Sequence, residues 1–362
     1  LRPHVDQRRA RVRALVQARG SVRVADLARE LGVSPVTLRR DIEAMAARGE
    51  IQRMHGVVSR PQAGPAGPDH AGGGGCGRDG SGLVIGMVVP TTEYYYGDVV
   101  RGAREAVEAR GARLTVGLTR YLPGEDRTQA DRLLSTGAHG LLLTPNWDAG
   151  SPGPGEGAWT AELPVPTVLV ERWAPPGHPA ASLDRVASDH AHGAARAVQH
   201  LAGMGHRRIA LASRRTPTSA RLRAGFEAAV AVLGLEPAPP WPGPEALSEA
   251  EAFARTLDYL CAAVAEGGVS AALIHSDTDA IMLIPRLQAR GVRVPEDLAV
   301  ITYDDEVAGL ADVPLSAVAP AKREVGARAA GLLLDLVEGG AAAAEGRARQ
   351  HLELLPRLTI RP

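Results

Sequence analysis

The stretch VSPVTLRRDIEAM, Val33 to Met45, decides how the head of the chain is read. Ser34 is a good N-cap, and Pro35 suits the first helical position, where its missing N–H costs nothing. Leu38, Ile42 and Met45 follow at i, i+4 and i+7 and form a buried stripe. The opposite face carries Val36, Arg40 and Glu43, flanked by Thr37, Arg39 and Ala44. Just before it, VRVADLARELG places Val24, Leu27, Ala28 and Leu31 on one helical face, and Gly32 ends that helix. Two short helices around a tight glycine turn, the second showing arginines and a hydroxyl outward, make a helix-turn-helix. In that motif the second helix enters the major groove of DNA, where arginine reads guanine or grips phosphate. The following GEIQRMHGVVSR reads as a hairpin wing, with Arg53 and His55 placed to touch the DNA backbone.

Charge agrees with this reading. The 362 residues carry no net charge, but residues 1–60 hold 13 arginines against six acids. A head of +7 on a body of −7 points to a polyanionic partner for the head. Only Lys322 among the 41 basic residues is lysine, and we read that bias as genomic base composition. Two cysteines, Cys76 and Cys261, build no disulfide framework, and no metal-ligand spacing surrounds them. The N-terminus is too charged for a secretory signal, and no apolar run reaches the roughly 18–20 residues of a membrane span. These features predict a cytoplasmic protein without cofactor, metal or membrane partner.

Residues 1–58 read as helices followed by a hairpin. Residues 59–82 are rich in proline and glycine, including Gly72 to Gly75, and predict a flexible linker that cannot nucleate a helix. From Leu83 the texture changes. Runs such as LVIGMVV, PTVLV, RRIALAS, AALIHS and LAVITYDD alternate with helical patterns. Continuous apolar strands between helices predict parallel sheets in an α/β layering, and the length of 83–362 allows two.

The head resembles the winged helix-turn-helix of DeoR-type bacterial transcription regulators, whose pattern Ser-x-x-Thr-x-Arg-Arg-Asp is met by Ser34, Thr37, Arg39, Arg40 and Asp41. Arg53, His55 and Gly56 follow the wing pattern, while Ile51 and Val57 depart from it. The resemblance implies Ser34, Val36, Thr37, Arg39, Arg40, Arg53 and His55 as DNA contacts. The body, from about Leu83 onward, resembles the sensor of the lactose- and galactose-repressor type. Its carriers include IGMVVPTTEYYYGDVVRGAREA, VASDHAHGAARAVQHLAGMGHRRIALAS and LSAVAPAKREVGARAAGLLLDLV. This resemblance implies a two-lobed, type I periplasmic-binding-protein-like fold. Lobe one would span about 83–187 plus 318–338, and lobe two about 188–317 plus 345–362.

A sugar shows apolar C–H faces and hydroxyl edges, which aromatic rings and charged side chains respectively fit. Three of the chain's six tyrosines, Tyr94 to Tyr96, follow the first strand of the body. The resemblance implies Tyr95, Tyr96, Arg172, Asp189, Asp277 and Asp304 as ligand-binding residues, with Asp189 equally readable as a helix cap. The spacing before Gly225 differs by one from the family's, so Arg221 and Arg223 both stand as candidates. Ser276 and Pro320 replace residues common in relatives. His190 and His192 read as histidines on a helix surface, and GGGGCG lacks the lysine of a phosphate loop. The leading expectation is a DNA-binding repressor. It would act as a homodimer on an operator, under control of a mono- or oligosaccharide effector. A sugar-binding transport protein is the alternative, and an enzyme on the same α/β body is less favoured.

Overall fold

The computed structural model describes residues 11–16, 21–23, 27, 30, 42, 45, 52–54, 57–59, 82–148, 150–243, 248–344 and 347–361. The chain divides into two compact units, Leu1–Gly77 and Arg78–Pro362.

In the first unit residues 11–16 are helical. Strands β1 (Ser21–Arg23), β2 (Gln52–Met54) and β3 (Val57–Ser59) form an antiparallel sheet in the order β1-β3-β2. β2 and β3 are the anticipated wing, with Met54 opposite Val57. β1 is an addition, pairing Ser21 with Ser59; three residues between helices are too few for an alternating pattern to show. Val12, Val16, Leu27, Ile42 and Met45 are buried, so two members of the stripe read from the second helix, Ile42 and Met45, face a core, while Leu38 lies outside the described residues.

The second unit holds two sheets. The first is parallel throughout, in the order β13-β8-β7-β6-β4-β5. Its strands are β4 (Val84–Val89), β5 (Arg113–Leu118), β6 (Gly140–Leu143), β7 (Thr167–Val170), β8 (Asp184–Ser188) and β13 (His351–Leu354). The second sheet has the order β14-β12-β11-β10-β9. It comprises β9 (Ile209–Ser213), β10 (Ala271–His275), β11 (Ala299–Tyr303), β12 (Ser316–Ala319) and β14 (Arg357–Thr359), the last antiparallel to β12. Every residue of β6, β7, β9 and β10 is buried. Helices cover both faces of the sheets, which is why these strands are unbroken apolar runs.

Helices α1 (Tyr95–Ala109) and α7 (Lys322–Ala344) pack on one face of the first sheet, and α2 (Glu125–Ser135) contributes to the core on its other face. The second sheet is covered by α3 (His190–Gly203) and α4 (Ser219–Val232) on one side. On the other side lie α5 (Glu249–Ala265) and α6 (Asp277–Ala289). Among the described residues no helix is long and apolar enough to cross a membrane.

The chain passes between the lobes three times, after β8, after β12 and after β13. The last passage corrects the sequence reading, which gave all of 345–362 to lobe two. His351–Leu354 runs parallel to β8 as an edge of the first sheet, and only after Pro356 does β14 join the second. Half-exposed HLEL suits an edge, where pairing, not burial, decides membership. Likewise β12 stays in the second sheet to Ala319, so that crossing falls at 320–321 and not at 318.

The contact between α1 and α7 rests on two glycines. A Cβ at Gly102 would lie 1.9 Å from the Arg323 carbonyl oxygen, and one at Gly326 would lie 1.9 Å from that of Val99. Each glycine thus seats the backbone of the other helix. Gly102→Ala or Gly326→Ala is expected to destabilise the sensor unit by about 1–3 kcal/mol, as overpacking does. Denaturant unfolding reads this directly; an unchanged midpoint for both would mean the helices are not in register here.

Candidate ligand cleft

The cleft is built at the carboxyl ends of the strands, where open parallel sheets leave space for a ligand. β4 delivers Tyr94, Tyr95 and Tyr96 at the start of α1, and β7 delivers Glu171 and Arg172. β8 leads to Ser188 and His190, β9 to Arg214, β10 to His275 and Ser276, and β11 to Tyr303 and Asp304. Side chains from these exits enclose a cavity of about 310 Å³ between the two sheets. Among the described residues, five other than glycine have positive φ. Four of them, Tyr94 (49°), Tyr121 (58°), Glu171 (54°) and Asp304 (73°), line this cavity. Backbone strain of this kind is tolerated where surrounding structure over-determines it, commonly at binding sites.

Glu171 is the hub. Its Oε1 accepts the Tyr95 hydroxyl at 2.7 Å and the Ser188 hydroxyl at 2.8 Å, and its Oε2 accepts the Ser188 N–H at 3.0 Å. His190 Nε2 lies 3.4 Å from the same Oε2, and His190 Nδ1 lies 2.9 Å from the Tyr303 hydroxyl. Burial pushes the Glu171 carboxyl up, but His190, Tyr95 and Ser188 outweigh it and hold the group below its ordinary range. The same burial, with Glu171 alongside, raises Tyr95 well above the usual phenol. His275 is driven down to about 3 by burial, helped by His190 and Arg214, and is neutral.

Two atoms buried in the wall of this cavity have no hydrogen-bond partner among the described residues: Arg172 Nη2 and Asp304 Oδ1. The rest of Arg172 is tied down. Its Nε donates to Pro145 O at 2.5 Å, and its Nη1 donates to Tyr96 Oη at 3.1 Å and Glu171 O at 2.8 Å. Asp304 is 5% exposed, and burial pushes its carboxyl up to about 6 against the pull of Lys322. Buried donors and acceptors are nearly always satisfied. An unpaired donor and an unpaired acceptor in the wall of one tyrosine-lined cavity suit a neutral ligand carrying hydroxyls.

Of the residues expected here, the structure brings Tyr95, Tyr96, Arg172 and Asp304 together on the cavity wall. Asp277 stands behind it with its carboxylate already filled. Oδ2 accepts the N–H groups of Glu306, Val307 and Ala308, and Oδ1 accepts Thr278 N–H and the Tyr94 hydroxyl. Asp277 therefore fixes the loop after β11 and orients Tyr94. Asp189 caps α3 by accepting His192 N–H at 2.9 Å. Arg221 lies beside the cavity, its guanidinium 4.1 Å over Trp173 and 3.7 Å from Glu353, while Arg223 is exposed. In the head, Ser34, Val36, Thr37, Arg39, Arg40 and His55 lie outside the described residues, and Arg53 is described only as part of β2.

The sequence reading missed Tyr94, Tyr121, Glu171, Arg214 and His275. Glu171 had a signal, because it directly follows the strand PTVLV beside Arg172. Tyr121 and Arg214 come from loops without any pattern. His190 corrects an expectation: it is 1% exposed, not on a helix surface, because the first position of α3 points back toward Glu171 and Tyr303.

Comparison with known proteins fits both units. Residues 8–63 match the DeoR-like helix-turn-helix domain, and residues 198–361 match the periplasmic binding protein-like domain. A DeoR-like helix-turn-helix match is thus followed in the same chain by a periplasmic binding protein-like match. An arabinose metabolism transcriptional repressor of Geobacillus stearothermophilus is 27% identical over 269 residues, 70% of each chain. Among solved structures, the regulator CcpA of Lactococcus lactis superposes with a TM-score of 0.63 at 19% identity, over 77% of this chain and 98% of its own length. The regulator CelR in complex with cellobiose covers 91% of both chains, with a TM-score of 0.60 at 23% identity. At these identities the structural matches establish the fold.

The raised Asp304 carboxyl has a sign that can be tested. The folded protein keeps its proton up to about pH 6, whereas the unfolded chain loses it near pH 4. Its contribution to stability is therefore present at low pH and lost as pH rises from about 4 to 6. Asp304→Asn has no such loss. Relative to wild type it is expected to gain about 2–3 kcal/mol between pH 4 and pH 7. Chemical unfolding at both pH values measures this; a difference independent of pH would show that Asp304 titrates normally.

Proposed function

We propose that this chain is a DNA-binding transcription regulator, a repressor whose operator affinity is set by a small polyhydroxy effector held between the sensor lobes. The observation that carries the effector reading is the pair of unpartnered atoms, Arg172 Nη2 and Asp304 Oδ1, in one tyrosine-lined cavity. Relatives supply the class of ligand. One is named for arabinose metabolism and another is solved with cellobiose, so a neutral mono- or oligosaccharide is the effector proposed. The protein acts in the cytoplasm, as a homodimer, because paired half-sites one helical turn apart ask for two heads. It performs no catalysis: ligand binding shifts an equilibrium, and it must favour one lobe arrangement to alter DNA affinity.

Ser34, Val36, Thr37, Arg39, Arg40, Arg53 and His55 are proposed as the DNA-facing set. Arg39→Ala and Arg40→Ala are each expected to weaken operator binding. At least one should relax base preference at a single position by about 1–3 kcal/mol. Uniform loss on every sequence would make both phosphate contacts. Binding should also fall steeply with salt, as counterion release requires.

Gel shifts on the DNA upstream of the gene, with and without arabinose and cellobiose, test the whole reading. Asp304→Ala should abolish the sugar response and leave sugar-free DNA binding intact. Sugar binding without any DNA binding would favour the alternative, a transport protein.

A further inference from the structure

In a chain that uses arginine at every other basic position, the one lysine stands at the start of α7, where the chain enters lobe one after β12. Lys322 is 4% exposed. Its ammonium bonds to Glu306 and lies 3.8 Å from Asp304 Oδ1, both on the loop after β11. On the other side are the rings of Tyr95, with its centroid at 4.9 Å, and Tyr94, at 5.9 Å, both from the start of α1. The ammonium is therefore shared between carboxylates of one lobe and tyrosine rings of the other. A compact ammonium fits between two ring faces and two carboxylates, whereas a planar guanidinium needs a wider slot.

We infer that Lys322 is a positioning residue for effector recognition, holding the Asp304 carboxylate ionised and aimed into the cleft so that it can accept ligand hydroxyls. This rests on the proposed role of Asp304, a residue of the cavity wall whose Oδ1, the oxygen nearest Lys322, is buried without a hydrogen bond. The groups around that carboxylate are Lys322 from α7, His190 from α3, Asp277 from α6, and Glu306 on its own loop, with Tyr94, Tyr95 and Tyr303 around them. Asp277 and Glu306 oppose its ionisation; Lys322 is the first of the two groups that favour it, followed by His190. No hydrogen bond joins Lys322 to Asp304, so its influence is exerted by charge across 3.8 Å.

The test needs no effector. The carboxyl carbon of Asp304 is followed by NMR in the full-length, ligand-free protein, and its signal is assigned by its loss in Asp304→Asn. A wild-type midpoint near pH 6 is expected. Lys322→Met should raise it by about one unit or more, the scale of a lost charge partner. Lys322→Gln, which keeps a polar donor without charge, should do the same, and it serves if the methionine variant does not fold. Lys322→Arg should return the midpoint to within a few tenths of wild type while lowering the thermal midpoint, which separates charge from fit. Midpoints unmoved in both uncharged variants would overturn the inference. A normal titration series in a protein that binds neither arabinose nor cellobiose would instead fault the effector reading and leave Lys322 in its role.

Discussion

The structure depends on the parallel pairing of strands within each lobe. Parallel neighbours discharge all their following loops at one end, so each sheet has one edge rich in backbone turns and one plain edge. Because side chains from the exits of both sheets line one cavity, the two functional edges face each other. Everything that could touch a ligand is thereby gathered from segments distant in the chain. Tyr95 and Tyr303 lie far apart in the sequence, yet both reach the Glu171–His190 pair.

That gathering is costly in stability. Charges are withdrawn from water, and four residues of the wall hold a backbone conformation that L-residues disfavour. The protein compensates selectively. Glu171 and Asp277 are given as many donors as their oxygens can use, and act as fixed points of the frame. Asp304 Oδ1 and Arg172 Nη2 are left without a hydrogen bond. What separates Glu171 and Asp277 from Asp304 is thus a count of satisfied lone pairs, since all three acids are buried alike.

The layout of sheets and helices was legible because doubly covered strands are long apolar runs, and PTVLV or AALIH admits little else. The exits of those strands were legible for the same reason, and the family resemblance pointed to Tyr95, Tyr96, Arg172 and Asp304 upon them. What the residues could not reveal was the filling of each oxygen. Asp277 and Asp304 follow neighbouring strands with the same chemistry, but three backbone N–H groups of a loop thirty residues onward saturate the first. His190 was misread because its first-turn position lies on the boundary between helix surface and cleft. β13 escaped notice because an edge strand of four half-exposed residues carries no periodic signal.

The three passages between lobes are very short. One residue, Asp189, separates β8 from α3, and two residues each separate β12 from α7 and β13 from β14. Two extended residues reach only about 7 Å. Such straps leave the lobes little freedom to slide past one another or to separate, yet a few backbone torsions in each suffice for bending. Any mechanical message the sensor delivers must then take the form of an angle, with the short straps as its axis and the strand exits as its jaws. A change in one jaw is enlarged in proportion to distance from that axis, so small adjustments at the strand exits become larger displacements at the far margins of the lobes.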